Sequence, residues 1–268
     1  WAAFLKEQGI KSGDPVAVTM PRGINQIAAV LGIMALGGCY VPIGTGQPAT
    51  RRERIHKKAD IRYVLTDDEW AQALDWPEDA VVLSITNAVS IAPLSEPVSI
   101  SGDSPAYIIF TSGSTGEPKG VEISHFGAWN TVADINTRYQ VGSTDRILAV
   151  SALDFDLSVY DIFGLLSVGG SLVLITEETR RDAGHWAKLV DKYQITLWNS
   201  VPVLLDMLLN AAESGQYDSL PIRLTMLSGD WIGLDLPPRL KRVAPHSELV
   251  AMGGATEASI WSNFFQVT

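Results

Sequence analysis

Short apolar runs alternate with stretches of helical period along this chain, and that alternation limits its possible folds more than any other feature. Strands are predicted at Val16–Val18, Tyr63–Leu65, Val81–Leu83, Tyr107–Phe110, Ile147–Val150, Ser171–Ile175, Thr196–Trp198 and Leu224–Leu227. Helices are predicted between them, at 24–37, 49–59, 127–138, 158–168, 183–193 and 202–213. Strands that are apolar throughout, and separated by helices, fit parallel sheets buried on both faces. The expected class is therefore α/β, with mostly parallel sheets and helices on both faces. A length of 268 residues suffices for one large domain or for two subdomains sharing a sheet. The segment from Thr86 to Pro105 is rich in Ser and Pro and reads as a surface connection.

Composition narrows the function classes. Lysine and arginine number 20 against 30 acids, a formal charge of −10, which disfavours a nucleic-acid partner. The basic runs Arg51-Arg52-Glu53-Arg54 and His56-Lys57-Lys58 are broken by acids and read as the solvated face of a helix. Cys39 is the one cysteine, so neither an intrachain disulfide nor a cysteine-rich metal site is expected, and its apolar neighbours suggest a packed thiol. The longest apolar stretch, Ile27–Leu36, is too short to span a membrane. Trp1–Gln8 reads as an amphipathic helix and not as a signal peptide, which points to a cytoplasmic protein without a membrane partner. The chain opens inside that helix and stops after the strand-like Phe264–Val267, as a piece of a longer protein would.

The sharpest chemical motif follows the strand Tyr107–Phe110. Thr111 to Gly120 holds three glycines, four hydroxyl side chains and Lys119, and then leads back into a strand. Glycines let backbone N–H groups approach an anion, hydroxyls donate to phosphate oxygens, and the lysine adds positive charge. A plain Ser/Gly surface loop would not need to leave a buried strand or to end in Pro118-Lys119-Gly120. The nucleoside-triphosphatase P-loop does not fit, because Pro118 lies five residues past Gly113 and Lys119 is followed by glycine.

This loop resembles the signature loop of the adenylate-forming superfamily, which includes peptide synthetase adenylation domains, acyl-CoA and aryl-acid ligases, and luciferases. Other segments agree in order. Leu36–Ile43 resembles the earlier Gly-x-Ala-Tyr-Val-Pro segment, and Leu153–Ser158 the Phe-Asp-x-Ser segment of amino-acid-activating members. Ser228-Gly229-Asp230 resembles the adenine-side turn, and Gly253-Gly254-Ala255-Thr256-Glu257 the segment usually read Tyr-Gly-Pro-Thr-Glu. The resemblance implies that residues 1–268 are the large amino-terminal core of a nonribosomal peptide synthetase adenylation domain, truncated before its carboxy-terminal subdomain. It implies ATP and Mg²⁺, with a substrate carboxylate attacking the α-phosphate and pyrophosphate departing.

By the same resemblance, Thr111, Ser112, Gly113, Ser114, Thr115, Gly116 and Lys119 would cradle phosphates, and Thr256 would donate to the α-phosphate. Glu257 would help hold Mg²⁺, which prefers hard oxygen ligands together with water and phosphate. Lys119, Thr256 and Glu257 would form the catalytic set; Ser228, Gly229, Asp230, Gly253 and Gly254 would line the nucleotide. Gly253 stands where the family usually has an adenine-stacking aromatic, and Ala251 where it usually has asparagine. The family's ribose-binding aspartate, hinge and catalytic lysine would lie past residue 268, so this piece alone should adenylate poorly or not at all. A peptidyl carrier protein and neighbouring synthetase domains are the implied partners.

Asp156 corresponds to the aspartate that pairs with a substrate ammonium; a helix cap before Ser158 is the plain alternative. The carried-over pocket is Asp156, Leu157, Tyr160, Asn199, Met226, Ser228, Met252, Ile260 and Trp261. Its bulk implies a small side chain, and the set resembles the pockets of cysteine-activating members; serine, alanine and threonine are the neighbouring options. Two rival functions stand beside this: an aryl-acid or acyl-CoA ligase of the same superfamily, and a degenerate core kept as a scaffold.

Overall fold

A computed structural model describes residues 1–88, 91–112, 116–215 and 217–267. The chain divides into two compact units, residues 1–128 with 152–154, and residues 129–151 with 155–268. Each unit has its own six-stranded sheet. The expected class holds, but no sheet is shared.

The first unit contains α1 (Ala2–Glu7), β1 (Pro15–Val18), α2 (Ile24–Leu36), β2 (Cys39–Pro42), α3 (Ala49–Lys58), β3 (Tyr63–Thr66), α4 (Asp68–Ala73), β4 (Val81–Ser84), β5 (Pro105–Ser112) and β6 (Pro118–Ser124). Its sheet runs β4-β3-β1-β2-β5-β6, parallel except for the β5–β6 hairpin. Ala17, Val41 and Val64 from the sheet meet Ile55 of α3 and Phe110 of β5 in one buried cluster. Burying such apolar faces holds helix to sheet. Cys39 packs inside as expected; burial, with the Glu122 charge second, pushes its thiol up to about 12.

The reading of α3 as a solvated basic face holds for Arg54, Lys57 and Lys58, which are exposed, and is corrected for two residues. Arg52 and His56 are buried, at 7% and 4% exposure. Arg52 Nη1 donates to the Gln47 carbonyl at 2.7 Å, and Arg54 pairs with Glu117 at 3.0 Å. The i, i+4 spacing that marks a solvent face also brings these cations to neighbouring carbonyls and acids, and composition alone does not separate the two outcomes.

Helix α5 (His125–Arg138) carries the chain into the second unit. There follow β7 (Arg146–Ala149), α6 (Leu157–Val159), a π-helical turn (Tyr160–Gly164), β8 (Ser171–Leu174), α7 (Ala183–Lys192), β9 (Leu197–Ser200), α8 (Pro202–Ser214), β10 (Leu224–Leu227), α9 (Leu236–Val243), β11 (Glu248–Gly253) and β12 (Asn263–Val267). The sheet order is β12-β11-β10-β9-β7-β8, parallel except for β11–β12. Trp186 of α7 and Trp198 of β9, both fully buried, lie 6.3 Å apart in its core.

Several elements escaped sequence reasoning. Pro237 and Pro238 concealed α9, although proline is tolerated in a first helical turn, where the N–H groups lack helical partners anyway. Paired glycines concealed the end of β11. The helix expected over 158–168 is present over 157–166, but its middle, Tyr160–Gly164, winds as π-helix, and every residue from Leu157 to Ile162 is buried. A regular amphipathic helix would turn some of these toward solvent. Among the described residues no helix is long and apolar enough to cross a membrane.

Candidate active site

In the first unit the phosphate-loop motif is mostly a hairpin. β5 continues to Ser112 and β6 starts at Pro118, with Thr111 opposite Lys119 and Ser112 opposite Pro118. This corrects the expected loop, since antiparallel pairing takes both of its ends into strands. Gly113, Ser114 and Thr115 at the tip lie outside the described residues. Ser112, Gly116 and Lys119 are exposed, and the Thr111 hydroxyl donates to the Lys119 carbonyl at 3.4 Å. Helix α3 braces the hairpin: Lys58 Nζ donates to the Pro118 carbonyl at 2.8 Å, and Arg54 reaches Glu117. A lysine held on a strand beside a short glycine-containing tip presents its charge at a set position, as anion binding requires.

In the second unit the expected pocket residues are buried together. Asp156, Leu157, Tyr160, Asn199, Met226, Ser228, Met252, Ile260 and Trp261 all have 7% exposure or less. Asn199 and Met226 are register partners on β9 and β10. The Asn199 amide donates to the Leu157 carbonyl at 3.2 Å, and Trp261 Nε1 donates to Ser228 Oγ at 3.0 Å. The rings of Tyr160 and Trp261 have centroids 5.3 Å apart, and the Tyr160 hydroxyl donates to Asn136 Oδ1 at 2.9 Å. Burial pushes that phenol well above its ordinary pKa. Strand ends, the π-turn and the segment after β11 thus supply one wall each.

Asp156 sits at the N-cap position of α6 but makes no side-chain capping bond, which removes the cap reading. Burial raises its carboxyl above the ordinary value; the Thr256 hydroxyl and the N–H groups of Leu157 and Asp156 act against that rise, and among the described residues no cation contributes. The Thr256 hydroxyl thus lies beside the Asp156 carboxyl. Sequence spacing could not show this, because a hundred residues separate the two.

The Gly253–Glu257 segment turns sharply. A Cβ on Gly254 would lie 2.4 Å from the Ile260 carbonyl oxygen and 2.7 Å from Trp261 Cα, so only glycine fits. Ser259 and Ile260 follow with left-handed φ of 59° and 75°. At Gly253 a Cβ would lie 2.7 Å from Asn263 Oδ1. Asn263 faces Gly253 across the β11–β12 pair, so a larger side chain at 253 would have to displace the exposed Asn263 amide. Thr256 is half-buried and Glu257 exposed. Ser228 leads into a turn in which Gly229 takes φ +82°, and the exposed Asp230 accepts from the Trp231 N–H at 2.7 Å.

Residue-by-residue reading missed Asp161 and Asn136. Asp161 is 1% exposed and accepts from Asn199 Nδ2 at 2.8 Å. Its signal was available: an acid inside the apolar run Leu157–Leu166.

Residues 1–268 match in full the family described as AMP-binding enzyme. The chain belongs to that family. It is 52% identical over 269 residues to the "Anguibactin system regulator" of Vibrio anguillarum, covering 99% of this chain and 26% of that protein. It is 46% identical over 267 residues to "Pyochelin synthetase PchE" of Pseudomonas aeruginosa, covering 99% of this chain and 18% of that one. The chain therefore spans at most about a quarter of the length of these relatives. Among solved structures, the nonribosomal peptide synthetase FmoA3 in its α-methyl-L-serine-AMP-bound form superposes with a TM-score of 0.93 at 41% identity, over 100% of this chain and 30% of that one. The AMP-binding fold inferred from the phosphate-loop motif is thus the fold observed.

Proposed function

We propose that this chain is the amino-terminal core, residues 1–268, of an adenylation domain that activates L-cysteine as an aminoacyl-adenylate for a carrier-protein thiol. The observation that carries the reading is Asp156: a buried carboxylate that no cation stabilises among the described residues, set among Leu157, Tyr160, Met226, Met252, Ile260 and Trp261, with Asn199 and Ser228 as uncharged polar neighbours. An unmatched buried charge is costly, and a substrate ammonium supplies the match. An aryl or fatty acid brings no such group, which counts against a ligase for those acids. Tyr160, Trp261, Met226 and Met252 take the volume a ring would need.

In the reaction a substrate carboxylate oxygen forms a bond to the α-phosphorus of ATP, while the bond from that phosphorus to the pyrophosphate oxygen breaks. The chain's contribution is positional and electrostatic. In the first unit, Ser112 donates to phosphate oxygens, Thr111 does so once its hydroxyl turns from the Lys119 carbonyl, and Lys119 offsets their charge; Gly113, Ser114, Thr115 and Gly116 complete the set. In the second unit, Thr256 donates to the α-phosphate, and the turns at Ser228-Gly229-Asp230 and Gly253-Gly254 border the nucleoside. Among the described residues no cluster of three His, Cys, Asp or Glu side chains could hold a metal ion. Mg²⁺ fits even so, because it keeps waters and phosphate oxygens and needs only one or two carboxylates, of which Glu257 is one. Bound there, it would neutralise phosphate charge.

The test is amino-acid-dependent pyrophosphate exchange by the intact protein. Cysteine should exchange best, serine and alanine less well, and salicylate barely. A strong preference for phenylalanine, a charged amino acid or an aryl acid would overturn the cysteine assignment.

A further inference from the structure

Asn199 is fully buried, and both ends of its side-chain amide are informative. Nδ2 donates to Asp161 Oδ1 at 2.8 Å and to the Leu157 carbonyl at 3.2 Å. Oδ1 is buried and has no hydrogen-bond partner among the described residues. Which end is nitrogen follows from the partners. A backbone carbonyl can only accept, so the reversed amide would set oxygen against the Leu157 oxygen, beside a carboxylate. Asp161 and Leu157 together therefore hold the amide with its carbonyl outward from them.

The pocket's other uncharged polar side chains, Tyr160 and Ser228, each have a partner. The Tyr160 hydroxyl donates to Asn136, and Ser228 Oγ accepts from Trp261. A buried acceptor without a donor costs free energy that an incoming donor recovers. β9 ends at Ser200, one residue past Asn199, and ligands of parallel α/β sheets bind beyond the carboxyl ends of the strands.

We propose that Asp161 is a positioning residue for substrate selection: it orients Asn199 so that Oδ1 accepts a hydrogen bond from the substrate side chain. The pocket then selects a side chain that is small and also a donor, a thiol or hydroxyl over a methyl of the same size. This rests on the amino-acid-activating reading above and explains how such a pocket would separate cysteine from its methyl counterpart, 2-aminobutyrate. Volume alone separates near-isosteres poorly, whereas a site built around a hydrogen bond rejects the analogue that lacks it.

The experiment compares pyrophosphate exchange with cysteine and with 2-aminobutyrate in the intact protein, for wild type, Asp161→Leu and Asp161→Asn. Wild type should favour cysteine in kcat/KM by about tenfold or more. Asp161→Leu frees the Asn199 amide to turn, and the ratio should fall to within about threefold of unity, mainly through loss on cysteine. Asp161→Asn retains an acceptor oxygen for Nδ2 and should restore most of the preference. If Asp161→Leu yields no folded protein, Asp161→Ala removes the acceptor without adding bulk and is read in its place. A preference that survives removal of the acceptor, with both substrates weakened alike, overturns the positioning role and leaves the cysteine reading standing. A wild-type protein that favours 2-aminobutyrate overturns both.

Discussion

Asp156→Asn is the perturbation that bears most directly on substrate chemistry. The change keeps the shape of the side chain and an oxygen to accept from Thr256, and removes only the charge. Asp156 is 7% exposed, so little water screens its interaction with a bound ammonium. Loss of one partner of a buried, hydrogen-bonded charge pair costs about 2–5 kcal/mol. At about 1.4 kcal/mol per tenfold, kcat/KM for the amino acid should fall roughly 30-fold to 4,000-fold. ATP affinity, measured by calorimetry without amino acid, should stay near wild type. A stability signature should accompany the loss. Burial raises the Asp156 carboxyl above its unfolded value, so its contribution to stability is most favourable at low pH and is lost as pH rises through the folded pKa. At neutral pH the unliganded Asn variant should therefore melt higher than wild type, and the gap should close on acidification below the ordinary carboxylate range. Unchanged amino-acid kinetics would refute the ammonium assignment. A variant that melts lower at neutral pH would show that the Thr256 and backbone hydrogen bonds outweigh burial.

Other substitutions separate the two units' roles. Lys119→Ala and Glu257→Gln alter exposed side chains, so melting temperatures should hold while pyrophosphate exchange falls at least about tenfold; wild-type exchange in both would remove them from the phosphate and metal roles. Gly254→Ala drives a methyl into the Ile260 carbonyl, which lies 2.4 Å from the added carbon, and should lower both the melting temperature and activity; an unperturbed melt would show that the turn can relax. Trp261→Ala removes the ring tilted against Tyr160 and the bond to Ser228, and should shift exchange toward larger amino acids while cutting turnover of cysteine; an unchanged specificity profile would take Trp261 out of the pocket wall.

Much of this architecture was written in local sequence. β1, β3, β4, β7 and β10 are short apolar runs, and helices α2, α3, α7 and α8 have clear periodicity, because burial on two faces or on one stripe leaves a pattern readable within a dozen residues. The phosphate-loop motif was equally legible, since glycines, hydroxyls and a lysine after a buried strand express local chemistry. Tertiary structure decided what depends on distant partners. It drew Thr111, Ser112 and Lys119 into a hairpin by strand pairing, and buried Arg52 and His56 on a helix that composition assigns to solvent. It wound the middle of the helix after Asp156 into a π-turn, and set Thr256 beside Asp156 across a hundred residues. It also made Asp161 part of the pocket: an acid in an apolar run shows in sequence only as an anomaly, and only the facing Asn199 amide, 38 positions along the chain, gives its carboxylate something to hold.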